Sequence, residues 1–282
     1  MPKRSRSRSN ASIGAVLVLV AVIAYGAYYM MTGSDPLGLA KSVSQAATAV
    51  SGPMTNTAIA MLTPGPTTAP SGTTVSGAAG SLPEMATKPS PEEITFKGCP
   101  PEGDGGDTIQ NRLKNRIDEG NYVPVSFEAI ASLTWPKDTE RRDRADWSAD
   151  DTAAIAHYEG IPVSMEGYLT AATESGPEST NCHGTSNDMS DWHVSVVKNA
   201  GEDRTKAIVV ETTPRVRPNH KWTLDMLRTI VDNKERVRIS GWVFFDPEHP
   251  DHLGKYRITL WEIHPVMKIE VERNGQWVNL DS

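Results

Sequence analysis

Residues 235–264, ERVRISGWVFFDPEHPDHLGKYRITLWEIH, decide the fold of this chain. Apolar Val237, Ile239 and Val243 alternate with polar residues, which is the period-two pattern of a half-buried strand. Residues 255–272, KYRITLWEIHPVMKIEVE, predict a further strand whose proline lies at a bend or an edge. The residues between the two strands include acids and histidines. The stretch therefore predicts two strands joined by a polar loop.

Three more period-two segments precede this pair, and a helix separates them from it; they are strands at 162–170, 191–198 and 206–214, and a helix at 222–233. This order matches the OB-fold, a five-stranded Greek-key barrel, which carries its helix between the third and fourth strands. Gly167 and Gly241 fall in mid-strand, where small barrels need close backbone approach or a bend. An immunoglobulin-like sandwich needs more strands and no central helix. We predict a mainly β domain with an OB-like barrel over residues 161–282.

Short helices are expected before the barrel, in a helical segment over residues 98–160. Asp107 is a suitable N-cap for a helix with an apolar stripe at Ile109, Leu113 and Ile117. A second helix is expected over 126–133. A third is expected over 147–160, with Ser148 as its cap and Gly160 at its end.

Composition divides the chain near residue 98, because all seven Trp and all seven His lie beyond it. Residues 1–97 contain seven Lys/Arg and four Asp/Glu, which leaves 21 basic and 31 acidic residues in 98–282, a net charge of −10. Because an acidic domain repels phosphate backbones, sequence-independent nucleic-acid binding is disfavoured.

The N-terminus predicts a membrane anchor. A basic tail, residues 1–10, precedes an uncharged run over residues 11–31 that is long enough to span a bilayer core of about 30 Å. Basic residues on this side predict a cytoplasmic N-terminus and an extracytoplasmic, periplasmic C-terminal domain in a single-pass protein of the cytoplasmic membrane. The alternative is a signal peptide cleaved near residues 38–40.

Residues 32–97 are rich in Ala, Thr, Ser, Pro and Gly, and residues 42–83 contain no charge. Such a segment buries too little apolar surface to fold, so we expect a disordered linker. The same composition fits a glycosylated stalk.

Cys99 and Cys182 are the two cysteines of the chain. In an oxidising compartment such a pair favours a disulfide, which would join the helical segment to the barrel. Metal ligation by both thiols with His183 is the alternative, although no CxxC spacing supports it.

The histidines lie in loops or near strand ends, beside carboxylates. Four of them are candidate ligands for a divalent metal such as zinc: His183, His193, His249 and His264. Three histidines with a carboxylate such as Glu262 suit a site that activates water. The alternative is that these are surface and loop histidines, or that they hydrogen-bond at the barrel ends.

A binding face is the other hypothesis for this end of the barrel. Its candidate residues combine a basic side chain, two aromatic rings and a His/carboxylate pair: Arg215, Trp242, His249, Trp261 and Glu262. Arg215 could bind a small anion or pair with Glu211. Trp residues of a small barrel can equally be core residues. The expected partner is an unknown protein, a glycan or a small anionic ligand.

Several stretches resemble a family of uncharacterised exported bacterial proteins with an OB-like domain. They cover most of residues 98–272 and include CPPEGD (99–104), NRLKNR (111–116), DWH (191–193), GWVFFD (241–246) and LWEIHPV (260–266). Relatives of this pattern can carry a second Cys where this chain has Thr180, which argues against a multi-cysteine metal centre. The family carries no assigned activity, so the resemblance implies the domain and adds no mechanism.

Three functions remain open. The chain is expected to be a membrane-anchored binding or interaction module of unknown ligand. The alternative is a metal-dependent hydrolase, such as a nuclease, with Glu262 as ligand or base. The third is a structural domain of the cell envelope. Neither a GxSxG elbow nor a phosphate-binding loop is present.

Overall fold

A computed structural model of the protein describes residues 81–85 and 87–282. The predicted tail (1–10), the predicted anchor (11–31) and the linker up to residue 80 lie outside these residues. Within the described part of the chain, no helix is both long enough and apolar enough to cross a membrane.

The described residues form one sheet of seven strands. The strands are β1 Val123–Val125, β2 Pro162–Glu174, β3 Trp192–Val197, β4 Ile208–Thr212, β5 Arg236–Phe245, β6 Trp261–Arg273 and β7 Gln276–Asn279. They are ordered β1-β2-β3-β4-β6-β5, and β5 pairs back onto β2. Strands β2 to β6 therefore close a five-stranded barrel in which β4 and β6 are parallel and the other neighbours antiparallel. This confirms the predicted OB-like fold.

In the part of the chain that the structure describes, four α-helices accompany the barrel: α1 Thr108–Lys114, α2 Phe127–Ala131, α3 Ala149–Ala156 and α4 Leu224–Asn233. Each begins after a side chain that accepts a backbone N–H, and these caps are Asp107, Ser126, Ser148 and Thr223. Satisfying one of the unpaired N–H groups of a first turn stabilises a helix start. Helix α4 lies between the third and fourth barrel strands and packs against β2.

The two mid-strand glycines are positions of close backbone approach, as predicted. A Cβ on Gly241 would lie 2.3 Å from the carbonyl oxygen of Pro265, and one on Gly167 would lie 2.7 Å from that of Val197. The β5–β6 register shifts beside Gly241, and β6 runs without a break through Pro265. The predicted bend therefore lies within one long strand.

Alternation along the strands gives the barrel an apolar interior. The interior includes Val194, Val210, Ile263 and Trp261, all at most 2% exposed. The neighbours of these residues point to the outer face, since successive side chains of a strand alternate between faces.

The helical segment covers part of that outer face, and α1 does so with its polar side. Gln110, Asn111 and Lys114 are buried, whereas Ile109 is 49% exposed. The prediction that α1 buries its apolar stripe is therefore wrong. The surface beneath α1 is charged, so the helix buries polar side chains that can pair with it.

The folded domain begins before residue 98, within the predicted linker. Leu82 is buried in the main core, and Lys88 Nζ donates to the carbonyl oxygens of His157 and Glu159 after α3. The backbone N–H of Ile117 donates to the carbonyl of Glu92 at 3.0 Å. The linker boundary at residue 97 is thus corrected toward the N-terminus, because these contacts tie residues 82–97 to the domain.

Candidate functional site

A cluster of ionisable side chains lies on the outer face of β3, β4 and β6, beneath α1. His193, Glu211, Glu262 and His264 each neighbour an interior residue of their strand, so alternation directs them outward. Glu211, Glu262 and His264 are nevertheless at most 3% exposed. The loops 175–191 and 246–260, together with α1, bury them. The cluster is therefore an interface between the barrel and its covering segments.

Glu211 is the centre of the cluster. Its Oε2 lies 3.2 Å from His193 Nε2 and 3.4 Å from His264 Nδ1. Burial alone would favour a neutral carboxyl, but the charge and hydrogen bond of His193 lead the contacts that hold the pKa of Glu211 well below its usual range. Burial opposes charge on His193 as well, yet the carboxylates of Glu211 and Glu178 raise its pKa well above the ordinary value.

The loop 246–260 supplies a second His/carboxylate pair. His249 Nδ1 lies 2.7 Å from Asp246 Oδ2, and Arg257 donates to the same oxygen at 2.7 Å. Although burial opposes it, the hydrogen bond from His249 and the charge of Arg257 keep the pKa of Asp246 far below its usual range. The bond to Asp246 raises the pKa of His249. A buried carboxylate thus orients a partly exposed imidazole.

Glu262, Asp191 and His264 are more deeply buried than the partly exposed His193 and His249. Burial, with the nearby charge of Glu211, raises the pKa of Glu262 to about 8. Burial and Glu178 raise the pKa of Asp191 to about 6. Burial lowers the pKa of His264. Near neutral pH, Glu262 and His264 therefore favour their neutral forms, whereas Asp191, like Glu211 and Asp246, favours the carboxylate.

Lys114 of α1 brings a positive charge to the cluster. Its ammonium lies 3.8 Å from Glu178 Oε2. Burial opposes the charge, but Glu178, Glu211 and Asp246 outweigh it and raise the pKa of Lys114. The lysine therefore remains charged although its side chain is only 7% exposed.

A cavity of about 250 Å³ opens above the cluster, and we call it the acidic cavity. All nine of its lining residues are polar: Lys114, Glu178, Ser179, Thr180, His193, Glu211, Asp246, Glu248 and His249. They come from α1, from the loop 175–191, from β3 and β4, and from the loop 246–260. OB-folds bind oligonucleotides and oligosaccharides on the corresponding strands and loops.

Two groups of side chains in this region could hold a metal ion. The first is the buried triad Asp191, Glu211 and His264, and the second is the loop triad Asp246, Glu248 and His249. Within each group, one ligand atom from every residue lies within 4.8 Å of the others. Of the four predicted histidine ligands, His264 and His249 belong to these triads.

The other two predicted metal ligands lie elsewhere or play another part. His193 lines the acidic cavity and contacts Glu211. His183 lies 3.4 Å from Asp104, and its side chain is 60% exposed. The four histidines therefore do not converge on one ion: His249 and His264 belong to different triads, and His183 lies in an exposed left-handed turn.

Three of the predicted binding residues are structural. Trp261 is fully buried in the barrel interior, and Trp242 packs outside the barrel beneath the Arg116 guanidinium. Arg215 is 2% exposed and donates to Asn115 and Asn181. It also donates to three backbone carbonyls, of Ile94, Cys99 and Pro100. None of the three presents a group to the acidic cavity, and Glu262 lies buried beside it.

Cys99 and Cys182 form a disulfide with a Cα–Cα distance of 5.7 Å, which confirms the predicted pairing. The bond joins the start of the helical segment to the loop 175–191. Both joined segments cover the charged cluster, so the disulfide fixes the wall of the acidic cavity.

Sequence reasoning missed Lys114, Glu178 and Glu211 as site residues. The alternation along residues 208–212 puts Glu211 on the face away from the interior residue Val210, so the sequence could have predicted an outward carboxylate there. The sequence of α1 does not indicate that its polar face is the buried one, so Lys114 could not be predicted in the same way. The stretches that carry the family resemblance supply much of the cluster, including Lys114, Asp191, His193, Asp246 and His264.

No protein-family model matches the chain, and no curated protein sequence matches it. Among solved structures, the chain is similar to an OBody bound to hen egg-white lysozyme, at 15% identity and a TM-score of 0.21. That alignment covers 52% of this chain and 99% of the OBody chain. The fold described above rests on the strand pairing alone.

Proposed function

We propose that the domain is a binding module whose ligand occupies the acidic cavity. The observation that carries the proposal is the composition of the cavity wall, in which all nine residues are polar and seven are ionisable. Small-molecule pockets are usually mostly apolar, with a few polar groups. A wall without apolar residues favours a small ligand that is itself covered with hydrogen-bonding groups.

The charges of the wall favour hydroxyl and amino groups on that ligand. Glu178, Glu211, Asp246 and Glu248 supply four carboxylates, against Lys114 and two histidines. Lys114 is paired with Glu178, and Arg257 is paired with Asp246. The two carboxylates nearest these cations are thus already engaged, while Glu248 is exposed and free to meet a donor. An amino sugar, or a glycan that ends in one, has the required chemistry, and a small anion fits this excess of carboxylates less well.

The test is calorimetric titration of the full-length protein with glucosamine, a neutral disaccharide and inorganic phosphate. We expect glucosamine to bind and phosphate not to bind. Glu248→Gln should weaken glucosamine binding at least about tenfold, since a charged hydrogen bond contributes roughly 1.5–3 kcal/mol. Asp225→Asn is the matched control, because it removes an exposed carboxylate on α4. Phosphate binding best, or an equal effect of both variants, would refute the proposal.

The proposed location is the outer side of a membrane, to which residues 11–31 attach the domain. The Cys99–Cys182 disulfide supports an oxidising compartment, since such bonds are rare in the cytosol. External protease added to intact spheroplasts should remove the domain. Protection of the domain in intact spheroplasts, together with digestion after lysis, would place it inside the cell instead.

A second candidate function is a metal-dependent hydrolase that uses the loop triad. It is favoured by the loop triad, in which Asp246, Glu248 and His249 each offer one ligand atom within 4.8 Å of the others. Three protein ligands would leave a position for water, and His193 would lie across the cavity as a proton donor. Arg257 beside Asp246 opposes a cation there, so this function ranks second.

Hydrolysis of bis(p-nitrophenyl) phosphate by the full-length protein with added Zn²⁺ or Mn²⁺ tests this candidate. Turnover should stop with chelator and should fall at least about a hundredfold in His249→Asn. A rate equal to that of the metal ion alone would exclude hydrolysis of this substrate class.

A further inference from the structure

We propose that the buried triad, Asp191, Glu211 and His264, binds a first-row divalent metal ion beneath the acidic cavity. This site is distinct from the loop triad, and it shares Glu211 with the wall of the acidic cavity. Its three residues are at most 3% exposed, so the ion would be held beneath the surface of the cavity.

The first observation is that several polar atoms of the triad have no partner. Asp191 Oδ2 and both ring nitrogens of His264 are buried without a hydrogen-bond partner among the described residues, and outside the triad Glu211 Oε2 has only the His193 contact at 3.2 Å, which lacks hydrogen-bond geometry. Leaving one such atom unpaired costs about 1–3 kcal/mol, and more when it is charged. One ligand atom from each of the three residues lies within 4.8 Å of the others, which points to a shared partner.

The second observation is that neighbouring cations are engaged elsewhere. Lys114 pairs with Glu178 at 3.8 Å, and Arg257 contacts Asp246 and Glu262, each at 2.7 Å. The Arg215 guanidinium donates to the side-chain amides of Asn115 and Asn181 and to backbone carbonyls. The nearest cationic group is His193, which approaches Glu211 and not Asp191.

Protonation of His264 alone does not satisfy the triad. Its Nε2 lies 4.0 Å from Asp191 Oδ2, beyond hydrogen-bonding distance. Its Nδ1 lies 3.4 Å from Glu211 Oε2 without hydrogen-bond geometry. Bonds of 2.0–2.1 Å to a tetrahedral ion place ligand atoms roughly 3.3 Å apart. These two contacts use different ring nitrogens, so one ion would take a single nitrogen of His264 with one oxygen from each carboxylate, a set of atoms that lie within 4.8 Å of one another.

The chemistry of the ligands indicates the metal. One imidazole and two carboxylates suit zinc, manganese or iron, whereas calcium takes six to eight oxygen ligands. Asp191 ends the loop 175–191, Glu211 lies on β4 and His264 lies on β6. An ion held by all three would join the covering loop to two barrel strands, so it would stabilise the fold under the cavity.

The test uses full-length protein purified without chelator, with metal content measured by mass spectrometry. We expect one divalent ion per chain, a lower Tm after dialysis against chelator, and recovery on addition of Zn²⁺ or Mn²⁺. Asp191→Asn preserves side-chain shape and the bond from Asn181, and should reduce metal affinity at least about tenfold.

The control is the double variant Glu248→Gln/His249→Asn, which removes two residues of the loop triad and should retain the ion. Because a ligand variant can misfold, Co²⁺ absorption of the wild-type protein gives an independent measure of N/O ligation. Loss of the ion in the double variant but not in Asp191→Asn would overturn the proposal in favour of the loop triad. Absence of metal in purified protein, with no binding of Zn²⁺, Mn²⁺ or Co²⁺ afterwards, would overturn it outright. Glucosamine binding is measured in a separate calorimetric titration, so the metal site can be disproved while the proposed binding function still holds.

Discussion

The two faces of the same barrel strands differ in every respect except secondary structure. Three neighbouring pairs show the contrast, each with its interior residue first: Val194 and His193, Val210 and Glu211, Ile263 and Glu262. The interior residues are buried by barrel closure itself. Of the outer residues, Glu211 and Glu262 are buried and His193 is half-buried, and a separate layer covers them: the helical segment and the loops 175–191 and 246–260. Burial on the inner face follows from the strands, and burial on the outer face depends on how that layer is attached.

The two faces therefore contribute differently: the inner face to stability and the outer face to the candidate site. Apolar burial contributes about 25 cal/mol per Å² and needs no specific partner, so the interior accounts for the stability of the domain. The outer face carries charges whose pKa values diverge, and such divergence is typical of functional sites. Substitutions in the interior and changes to the covering layer should therefore have different effects on unfolding and on hydrogen exchange.

The largest effect is expected from Trp261→Ala, which empties the barrel interior. Replacing a fully buried Trp should lower the free energy of unfolding by about 3–5 kcal/mol. Urea denaturation measures the loss. Trp277→Ala is the matched control, because Trp277 is half-buried on β7 and should cost clearly less. Equal losses would mean that the interior does not dominate stability.

The next effect is expected from removal of the disulfide, which attaches the outer layer. Cys99→Ala/Cys182→Ala opens a loop with a sequence separation of 83, which should cost about 2–4 kcal/mol. Hydrogen exchange should accelerate first in residues 99–116 and 175–191, while β2 and β5 stay protected. Uniform acceleration would show that the two layers unfold as one unit. Reducing agent added to the wild-type protein should reproduce the pattern.

The smallest effect of the three is expected from Gly241→Ala, which tests how tightly β5 crosses β6. The added methyl would overlap the Pro265 carbonyl, so we expect a loss of about 1–3 kcal/mol. Gly176→Ala is the control, since nothing lies within 4 Å of its added methyl and its loop position is exposed. If Gly241→Ala lowers the free energy of unfolding no more than the control does, β5 and β6 move apart to accommodate the methyl group.

The fold was predictable because its signals are local. Alternation fixed β5 at residues 236–245, and the helix at 222–233 fixed the topology. Strands β1 and β7 were missed because three or four residues carry too little periodicity. The site was predictable only in part, since strand alternation indicates an outward His264 but not what covers it. The position of Lys114 follows from the docking of α1, which is a long-range contact between polar surfaces.

The disulfide also determines what proteolysis would produce. It closes residues 99–182 into a covalent ring that contains α1, α2, α3 and β2. The Arg141 side chain is 63% exposed within that ring, and it offers trypsin a site. A cut there would leave both fragments linked, so the nicked protein would migrate as one species until it is reduced. The domain can therefore lose backbone continuity and still keep both walls of its cavity on one molecule.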